Sequence, residues 1–187
     1  WLKFNGLNIV ASESNQAGIN KSIVALVAEN NGRLNNIIIN NSDDNASEYL
    51  IENNNNLIAS ANKYTYVFGG IAGINNGIIS NAQNNATLNY TLDNCSNNQS
   101  IVAFGGIAGE NHGQIINSKN LGNLSYIKNG LNFVSGKDKL IQGISYNIDT
   151  TNKDVLVYNV VSLGTIENTT TTNAICNDSG NIINAYS

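Results

Sequence analysis

The chain has 187 residues, of which 41% are hydrophobic and only 12% are charged, and its formal net charge is −4. Lysine and arginine together number 9 against 13 aspartates and glutamates, so the chain lacks the positive charge that nucleic-acid binding requires. One histidine and two cysteines are few for a zinc or haem site, and no apolar run approaches the 18 or so residues of a membrane span. We therefore expect no cofactor, no nucleic acid and no membrane insertion in this segment.

Asparagine occurs 39 times and isoleucine 24 times, whereas proline is absent. No stretch of ten residues combines helical apolar spacing with freedom from glycine and asparagine, which disfavours helices throughout. The absence of proline suits central parallel strands, in which every backbone N–H is needed. The composition predicts an all-β chain.

A first weak repeat lies near residues 24–42, where Asn30-Asn31-Gly32 forms a turn signal that recurs later. Clustered acids follow it: Asp43, Asp44 and Glu48, with Glu52 nearby. Carboxylates grouped in this way could serve a polysaccharide lyase or hydrolase, or could bind a cation weakly. A solvated loop is the simpler interpretation, and we expect a non-catalytic protein.

The strongest signal is an internal repeat, in which residues 68–90 recur 36 residues later as residues 104–126. The two copies share 13 identities in 23 positions without a gap. Each contains short stretches of alternating apolar and small or polar residues, around Ile71, Ile79 and Leu88 in the first copy, which is the period of a strand. Glycine and asparagine clusters between them predict tight corners. The segment Thr91–Ser100 is predicted to be a loop or an extra β-arch.

Two weaker copies follow, near residues 142–166 and 174–187. The last one stops in the middle of a unit, so we expect a fragment of a longer array. Stacking such units predicts a single parallel β-solenoid domain over residues 1–187, in which each unit covers the apolar side chains of its neighbour. Parallel crossovers favour a right-handed solenoid.

Stacked units place equivalent residues about 4.8 Å apart along the axis. Asparagine at inward corners would then hydrogen-bond to its own counterparts in the neighbouring units, and glycine would mark places where backbone approaches backbone. Exposed strand edges at the two ends predict end-to-end self-association, unless residues 1–10 and 175–187 act as caps.

The segments Gly69–Asn81 and Gly105–Asn117 resemble the GLUG motif, Gly-Gly-Ile-Ala-Gly-x-Asn-x-Gly-x-Ile-x-Asn in this chain. Gly122 and Leu124 match the tail of that motif, whereas Ala86 departs from it. The flanking copies depart further, since Val24-Ala25 replaces Gly-Gly and Tyr146 replaces the third glycine. The motif is scaffold, so the resemblance assigns no catalytic or binding residue.

The resemblance implies a secreted or cell-surface β-solenoid, as in bacterial adhesins and in the stalks of immunoglobulin A proteases. We expect a structural or adhesive module: a stalk, a passenger or a fibre-forming segment. Its partner would be a host or matrix glycan or protein. The alternatives are an accessory module of a large secreted protease and, less favoured, a polysaccharide-degrading enzyme.

Aromatic residues surround the strong repeats: Tyr64, Tyr66, Phe68, Tyr90 and Tyr126. Tyr90 and Tyr126 are equivalent in the repeat and would form a row that stacks on sugar rings if it were exposed. The alternative is that the rings pack within the protein. His112 and Arg33, the only residues of their types, fall at predicted corners and are expected to be exposed there.

Ten Asn-x-Ser/Thr sequons indicate possible N-glycosylation, although an asparagine-rich chain produces such sites readily. They are Asn20, Asn40, Asn45, Asn85, Asn89, Asn94, Asn98, Asn123, Asn168 and Asn177. Cys95 and Cys176 are either two buried thiols, which we favour, or a disulfide.

Overall fold

A computed structural model describes residues 1–12, 21–43, 45–52, 65–93, 101–129, 139–147, 154–167, 172–173, 175–176 and 182–187. This part of the chain contains 23 β-strands and no helix, and every pairing between these strands is parallel. It therefore includes no helix long and apolar enough to span a membrane. The prediction of an all-β chain with parallel strands is confirmed.

The strands form four sheets. Sheet A contains β1 (Leu2–Asn5), β5 (Arg33–Asn35), β6 (Ile37–Asn40), β10 (Ile78–Ser80), β11 (Gln83–Asn84), β15 (Gln114–Ile116), β16 (Lys119–Asn120), β20 (Leu156–Ser162) and β23 (Ile182–Tyr186). Sheet B contains β2 (Asn8–Ser12), β7 (Ser47–Glu52), β12 (Leu88–Asp93), β17 (Leu124–Asn129) and β21 (Ile166–Glu167). Sheet C contains β3 (Lys21–Val24), β8 (Thr65–Gly69), β13 (Ile101–Gly105), β18 (Lys139–Gln142) and β22 (Thr172–Asn173). Sheet D contains β4 (Val27–Asn30), β9 (Ala72–Asn75), β14 (Ala108–Asn111) and β19 (Ser145–Asn147).

The chain passes through sheets B, C, D and A in that order and then returns to B; we call one such passage a circuit. Each strand pairs with its counterparts in the neighbouring circuits, so the sheets grow along one common direction. Side chains from all four sheets meet in one hydrophobic cluster, which includes Ile79 of sheet A, Leu88 of sheet B, Phe68 of sheet C and Ala72 of sheet D.

The strand register pairs the residues that the sequence repeat aligns. Phe68 pairs with Phe104, Asn75 with Asn111, and Tyr90 with Tyr126.

The weaker copies are less regular than their alignment predicts. Val24 pairs with Phe68 and Val27 with Ala72, so the first circuit has one residue fewer at this corner, and Val24-Ala25 does not replace Gly69-Gly70 one for one.

Two further expectations need correction. Tyr146 pairs with Glu110 instead of the third glycine, Gly109, because the register shifts by one residue at this point of sheet D. Thr91 does not begin a loop. Strand β12 continues to Asp93, and Thr91 pairs with Ile127 because the alternating pattern persists across these residues. The rest of the predicted loop, residues 94–100, lies outside the described part of the chain.

The corner within sheet A is made by asparagine in every circuit that the structure describes there. Five asparagines at equivalent positions have left-handed backbone conformations, with φ between 50° and 59°: Asn36, Asn81, Asn117, Asn159 and Asn184. Asparagine tolerates this conformation better than other non-glycine residues, which explains its recurrence at a corner that must be sharp. Asn81 lies outside the glycine and asparagine clusters from which corners were predicted, so the structure adds this corner to them.

Glycine occupies the corner between sheets D and A, where successive circuits come close. A β-carbon on Gly77 would overlap with the carbonyl oxygen of Gly32, and one on Gly113 would overlap with that of Gly77. Gly32 itself has nothing within 4 Å of the corresponding position. The requirement for glycine therefore comes from the backbone of the neighbouring circuit and not from a left-handed conformation, which among the described glycines only Gly6 adopts.

The register predicts that one circuit is removable. Deleting Phe68–Ala103 joins Val67 directly to Phe104. Val67 pairs with Ala103 in sheet C, so it can take the place of Ala103 before Phe104, and the later strands keep their register. We expect a folded protein with a cooperative transition and a denaturant m-value lower by about a fifth, since m scales with the surface exposed on unfolding. Urea unfolding followed by circular dichroism measures this.

The control deletion, Phe68–Asn85, removes half as many residues and joins sheet C to the corner before sheet B. Every strand after the deletion then loses its register with its counterparts in the earlier circuits, so we expect no cooperative transition. A half-circuit deletion as stable as the whole-circuit deletion would contradict the described register.

Candidate functional site

Buried asparagines occupy equivalent positions in successive circuits; we call such a set of register partners along the stacking direction a column. The side-chain nitrogen Nδ2 of Asn30 donates to Oδ1 of Asn75 at 2.7 Å, and Nδ2 of Asn75 donates to Oδ1 of Asn111 at 2.8 Å. The second hydrogen on Asn75 Nδ2 bonds to the backbone oxygen of Gln114 at 3.1 Å. The amides therefore satisfy one another and connect sheet D to sheet A. The predicted hydrogen bonding between equivalent asparagines is confirmed.

A second pair of buried asparagines, Asn84 and Asn120, connects the second and third circuits, but the hydrogen bonding does not continue into the fourth circuit. Asn84 Nδ2 donates to Asn120 Oδ1 at 2.7 Å, but Asn120 Nδ2 has no hydrogen-bond partner. Both polar atoms of the Gln142 side chain are likewise buried without a partner. Gln142 pairs with Gly105 and so stands where the repeat has glycine. An unsatisfied buried polar group costs about 1–3 kcal/mol, so this region opposes stability.

Aromatic rings form a continuous stack inside the protein. Tyr49 and Tyr90 meet edge to face with centroids 5.6 Å apart, and Tyr90 stacks on Phe104 at 5.4 Å. Phe68 and Tyr126 each contact Phe104 with centroids at 5.0 Å and 4.9 Å. Such contacts stabilise by about 0.5–1.5 kcal/mol each beyond the area that they bury.

The expectation that Tyr90 and Tyr126 form an exposed row for stacking on sugar rings is therefore wrong, because both rings point inward. Tyr90 is 0% exposed and Tyr126 is 4% exposed, because leucine and tyrosine alternate on the inward side of sheet B. Tyr66 and Phe68 are also buried, and Tyr64 lies outside the described residues. The packing alternative holds for every described ring of this group.

The phenol groups of two inward tyrosines of sheet B donate hydrogen bonds to the backbone where the chain leaves sheet C. Tyr49 Oη donates to the carbonyl oxygen of Gly70 at 2.8 Å, and Tyr90 Oη donates to that of Gly105 at 2.7 Å. Burial raises the pKa of both phenols well above the ordinary value, and for Tyr90 the nearby Tyr49 adds to the effect. Both groups are neutral in the folded protein at every ordinary pH.

The acids singled out in the sequence lie in different surroundings. Asp43 is exposed at a turn with φ of 41°, and Glu48 is exposed on the outer side of sheet B, where Asn89 Nδ2 donates to its carboxylate at 2.7 Å. Glu52 follows Glu48 on the same strand, and Asp44 lies outside the described residues. Within the described part of the chain, no three acidic, histidine or cysteine side chains come together as a metal site would require.

A buried carboxylate that the sequence interpretation missed lies on sheet D. Glu110 is 3% exposed, and its Oε2 lies 2.7 Å from Lys21 Nζ and 3.7 Å from His112 Nε2. Lys21 belongs to the first circuit and Glu110 to the third, so the ion pair spans two circuits. The available signal was that Glu110 replaces Ile74 in the best-matched pair of repeats. His112 is half-buried beside this carboxylate instead of standing exposed at its corner, whereas Arg33 is exposed.

The described sequon asparagines differ in how their amides are used. Nδ2 of Asn40 donates to Asn5, that of Asn85 donates to Asn40, and that of Asn89 donates to Glu48. Asn45 and Asn123 are exposed, and the Oδ1 of Asn123 accepts a bond from the backbone N–H of Thr165 at 3.0 Å. The other five sequons lie outside the described residues: Asn20, Asn94, Asn98, Asn168 and Asn177.

Cys176 is buried, and its Sγ lies 3.5 Å from Ser145 Oγ. Cys95, its alternative disulfide partner in the sequence, is outside the described residues.

Comparison of the chain with models of protein families, with curated proteins and with solved structures finds no match in any of the three. The resemblance to the GLUG motif stays a prediction.

The asparagine column generates a stability prediction. In Asn75→Ala, the buried Nδ2 of Asn30 and Oδ1 of Asn111 each lose their shortest hydrogen bond and keep a longer one, to Ile78 O and Gly113 N–H. We expect the free energy of unfolding to fall by about 2–4 kcal/mol. Asn76→Ala is the matched control, because the neighbouring Asn76 is exposed and its amide bonds only exposed side chains. We expect a loss below about 1 kcal/mol there. Equal losses measured by urea unfolding would contradict the role of the column.

The buried phenols generate a pH prediction. A folded-state pKa above the unfolded value contributes stability that is complete below the unfolded pKa of about 10 and is lost as the pH rises further. We expect the free energy of unfolding to fall above about pH 10 by about 1.4 kcal/mol per pH unit for each buried phenol. Urea unfolding at increasing pH measures this slope.

Tyr49→Phe and Tyr90→Phe should each reduce that slope while costing about 1 kcal/mol at pH 7, since a backbone carbonyl loses its donor. Tyr158→Phe, at an exposed ring, is the control. An unchanged slope in both buried variants would show that these phenols do not govern alkaline unfolding.

Proposed function

We propose that the chain is a right-handed parallel β-solenoid that serves as a non-catalytic structural or adhesive module of an extracellular or cell-surface protein. The solenoid is supported by the ordered passage through four parallel sheets and by the single core that these sheets share. The pairing of each strand with its counterparts in neighbouring circuits supports it further.

One observation carries the functional part of the proposal: the inward polar and aromatic side chains bond to their own counterparts in the next circuit. Asn75 bonds to Asn30 and Asn111, and Tyr90 contacts Tyr49 on the neighbouring strand. Interactions of this kind strengthen cohesion along the stacking direction, as a stalk or fibre segment requires. The length of such a module increases with the number of circuits.

The extracellular or cell-surface location is supported by the resemblance to the GLUG motif and by the low charge of the chain. A rod of this kind either carries another module away from a surface or binds a ligand on its outer faces. Since Tyr90 and Tyr126 are buried, ligand contact would fall to exposed rings such as Tyr158 and Tyr186.

The test exposes the purified chain to an array of glycans and extracellular-matrix proteins, with an unrelated solenoid as the control. Saturable binding to one ligand class, weakened at least tenfold in a Tyr158→Ala, Tyr186→Ala double variant, would establish an adhesive module. The absence of binding would favour a stalk. Turnover of any polysaccharide, lost on Glu48→Gln, would overturn the proposal in favour of an enzyme.

A further inference from the structure

The corner between sheets C and D differs in the fourth circuit from the same corner in the two circuits before it. The second and third circuits turn there through Gly69-Gly70 and Gly105-Gly106, whereas the fourth turns through Gln142-Gly143. A β-carbon on Gly105 would overlap with the backbone carbonyl of Ala108. The fourth circuit therefore has a full side chain at a position where the third circuit has no room for a single carbon.

Unsatisfied polar atoms lie at this corner. Both polar atoms of the buried Gln142 side chain are without a hydrogen-bond partner, and so is Nδ2 of the buried Asn120. Asn120 packs against the same corner, because a β-carbon on Gly106 would lie 2.5 Å from its Cγ and 2.5 Å from the carbonyl oxygen of Gly143. Among the described residues, these three are the only buried side-chain atoms of this kind.

The strand pairing that follows the corner is also irregular. In sheet D, Ala108 pairs with Ser145 and Glu110 pairs with Tyr146, so Gly109 has no partner in the fourth circuit. The same strand, β14, pairs with the second circuit without such a shift. A shift of this kind disrupts the ladder locally. The third circuit is therefore joined less regularly to the fourth than to the second.

We propose that this corner of the fourth circuit, residues 139–147, opens locally while the first three circuits stay folded. On opening, water reaches the three unsatisfied atoms and supplies the hydrogen bonds that they lack in the closed corner. The free-energy cost of opening is therefore lower here than at the equivalent corners. The opening uncovers the backbone edges of β13 and β14, which are then able to pair with another strand.

Backbone hydrogen bonds across the corner make the opening measurable. Three equivalent amides each donate to the next circuit: Ile71 to Ile107 O at 2.9 Å, Ile107 to Ile144 O at 3.0 Å, and Ile144 to Ile175 O at 2.9 Å. Each amide therefore reports whether the circuit after it is in place. Opening of the fourth circuit releases the amides of Ile107 and Ile144 together, whereas the amide of Ile71 stays bonded to the third circuit.

Amide hydrogen exchange of the whole chain, followed by NMR at about pH 7 without denaturant, tests the proposal. We expect Ile107 and Ile144 to exchange within about threefold of each other after correction for intrinsic rates. We expect Ile71 to exchange at least about 100-fold more slowly, because its release requires the third circuit to open.

Two patterns of exchange would overturn the proposal. Fraying of the fifth circuit alone would release Ile144 and leave Ile107 as protected as Ile71. Equal rates at all three amides would show that the opening is not confined to the fourth circuit.

A substitution tests the cause of the opening. Gln142→Gly restores the glycine of the repeat and removes two of the three unsatisfied atoms. We expect exchange at Ile107 to slow at least about tenfold and exchange at Ile71 to stay unchanged. Gln83→Gly is the matched control, because it makes the same change at a half-buried side chain that already has a partner, Asn85.

The control should not slow exchange at Ile107. If Gln142→Gly also left that rate unchanged, the unsatisfied side chain would not be the cause of the opening and the proposal would be overturned. The comparison of the three amides is made in the unaltered chain, so it does not depend on the folding of either variant.

Discussion

In-register parallel pairing between each strand and its counterpart in the next circuit is the constraint on which the structure depends. Neighbouring strands lie about 4.8 Å apart, so every side chain stands directly on the residue at the same position of the adjacent circuit. A position is favourable when its residue tolerates a copy of itself at that distance. Asparagine meets this condition because its amide both donates and accepts, as Asn75 does between Asn30 and Asn111.

The same condition explains the composition. Aromatic rings stack on one another, as Tyr90 and Phe104 do, and glycine permits the backbone contact between Gly32, Gly77 and Gly113. Like charges at equivalent positions would repel, which agrees with a chain that is only 12% charged. Glu110 is accommodated at its buried position because its counterpart is Ile74 and because Lys21 reaches across two circuits to pair with it.

Departure from the repeat has a structural cost that is visible in the fourth circuit. Gln142 replaces a corner glycine and buries an unsatisfied amide, and the register of sheet D shifts where Tyr146 pairs with Glu110. The asparagine column runs from Asn30 in the first circuit to Asn111 in the third, and the aromatic contacts run from Tyr49 in the second circuit to Tyr126 at the start of the fourth. Since inward positions are occupied by these cohesive contacts, interactions with other molecules fall to the outer faces.

The sequence by itself determined the all-β class, the pairing of residues 68–90 with residues 104–126, and the corner at Asn75-Asn76-Gly77. These follow from local periodicity and from backbone preferences that each residue carries with it. The tertiary structure decided which side of each strand faces inward. At Tyr90 the alternating pattern already favoured a buried ring, since Leu88, Tyr90 and Leu92 share one side of the strand and polar residues occupy the other; only the structure showed that Tyr126 and Phe104 complete the same packing. It also decided the ion pair between Lys21 and Glu110, because that pair depends on which distant circuits the chain path brings together.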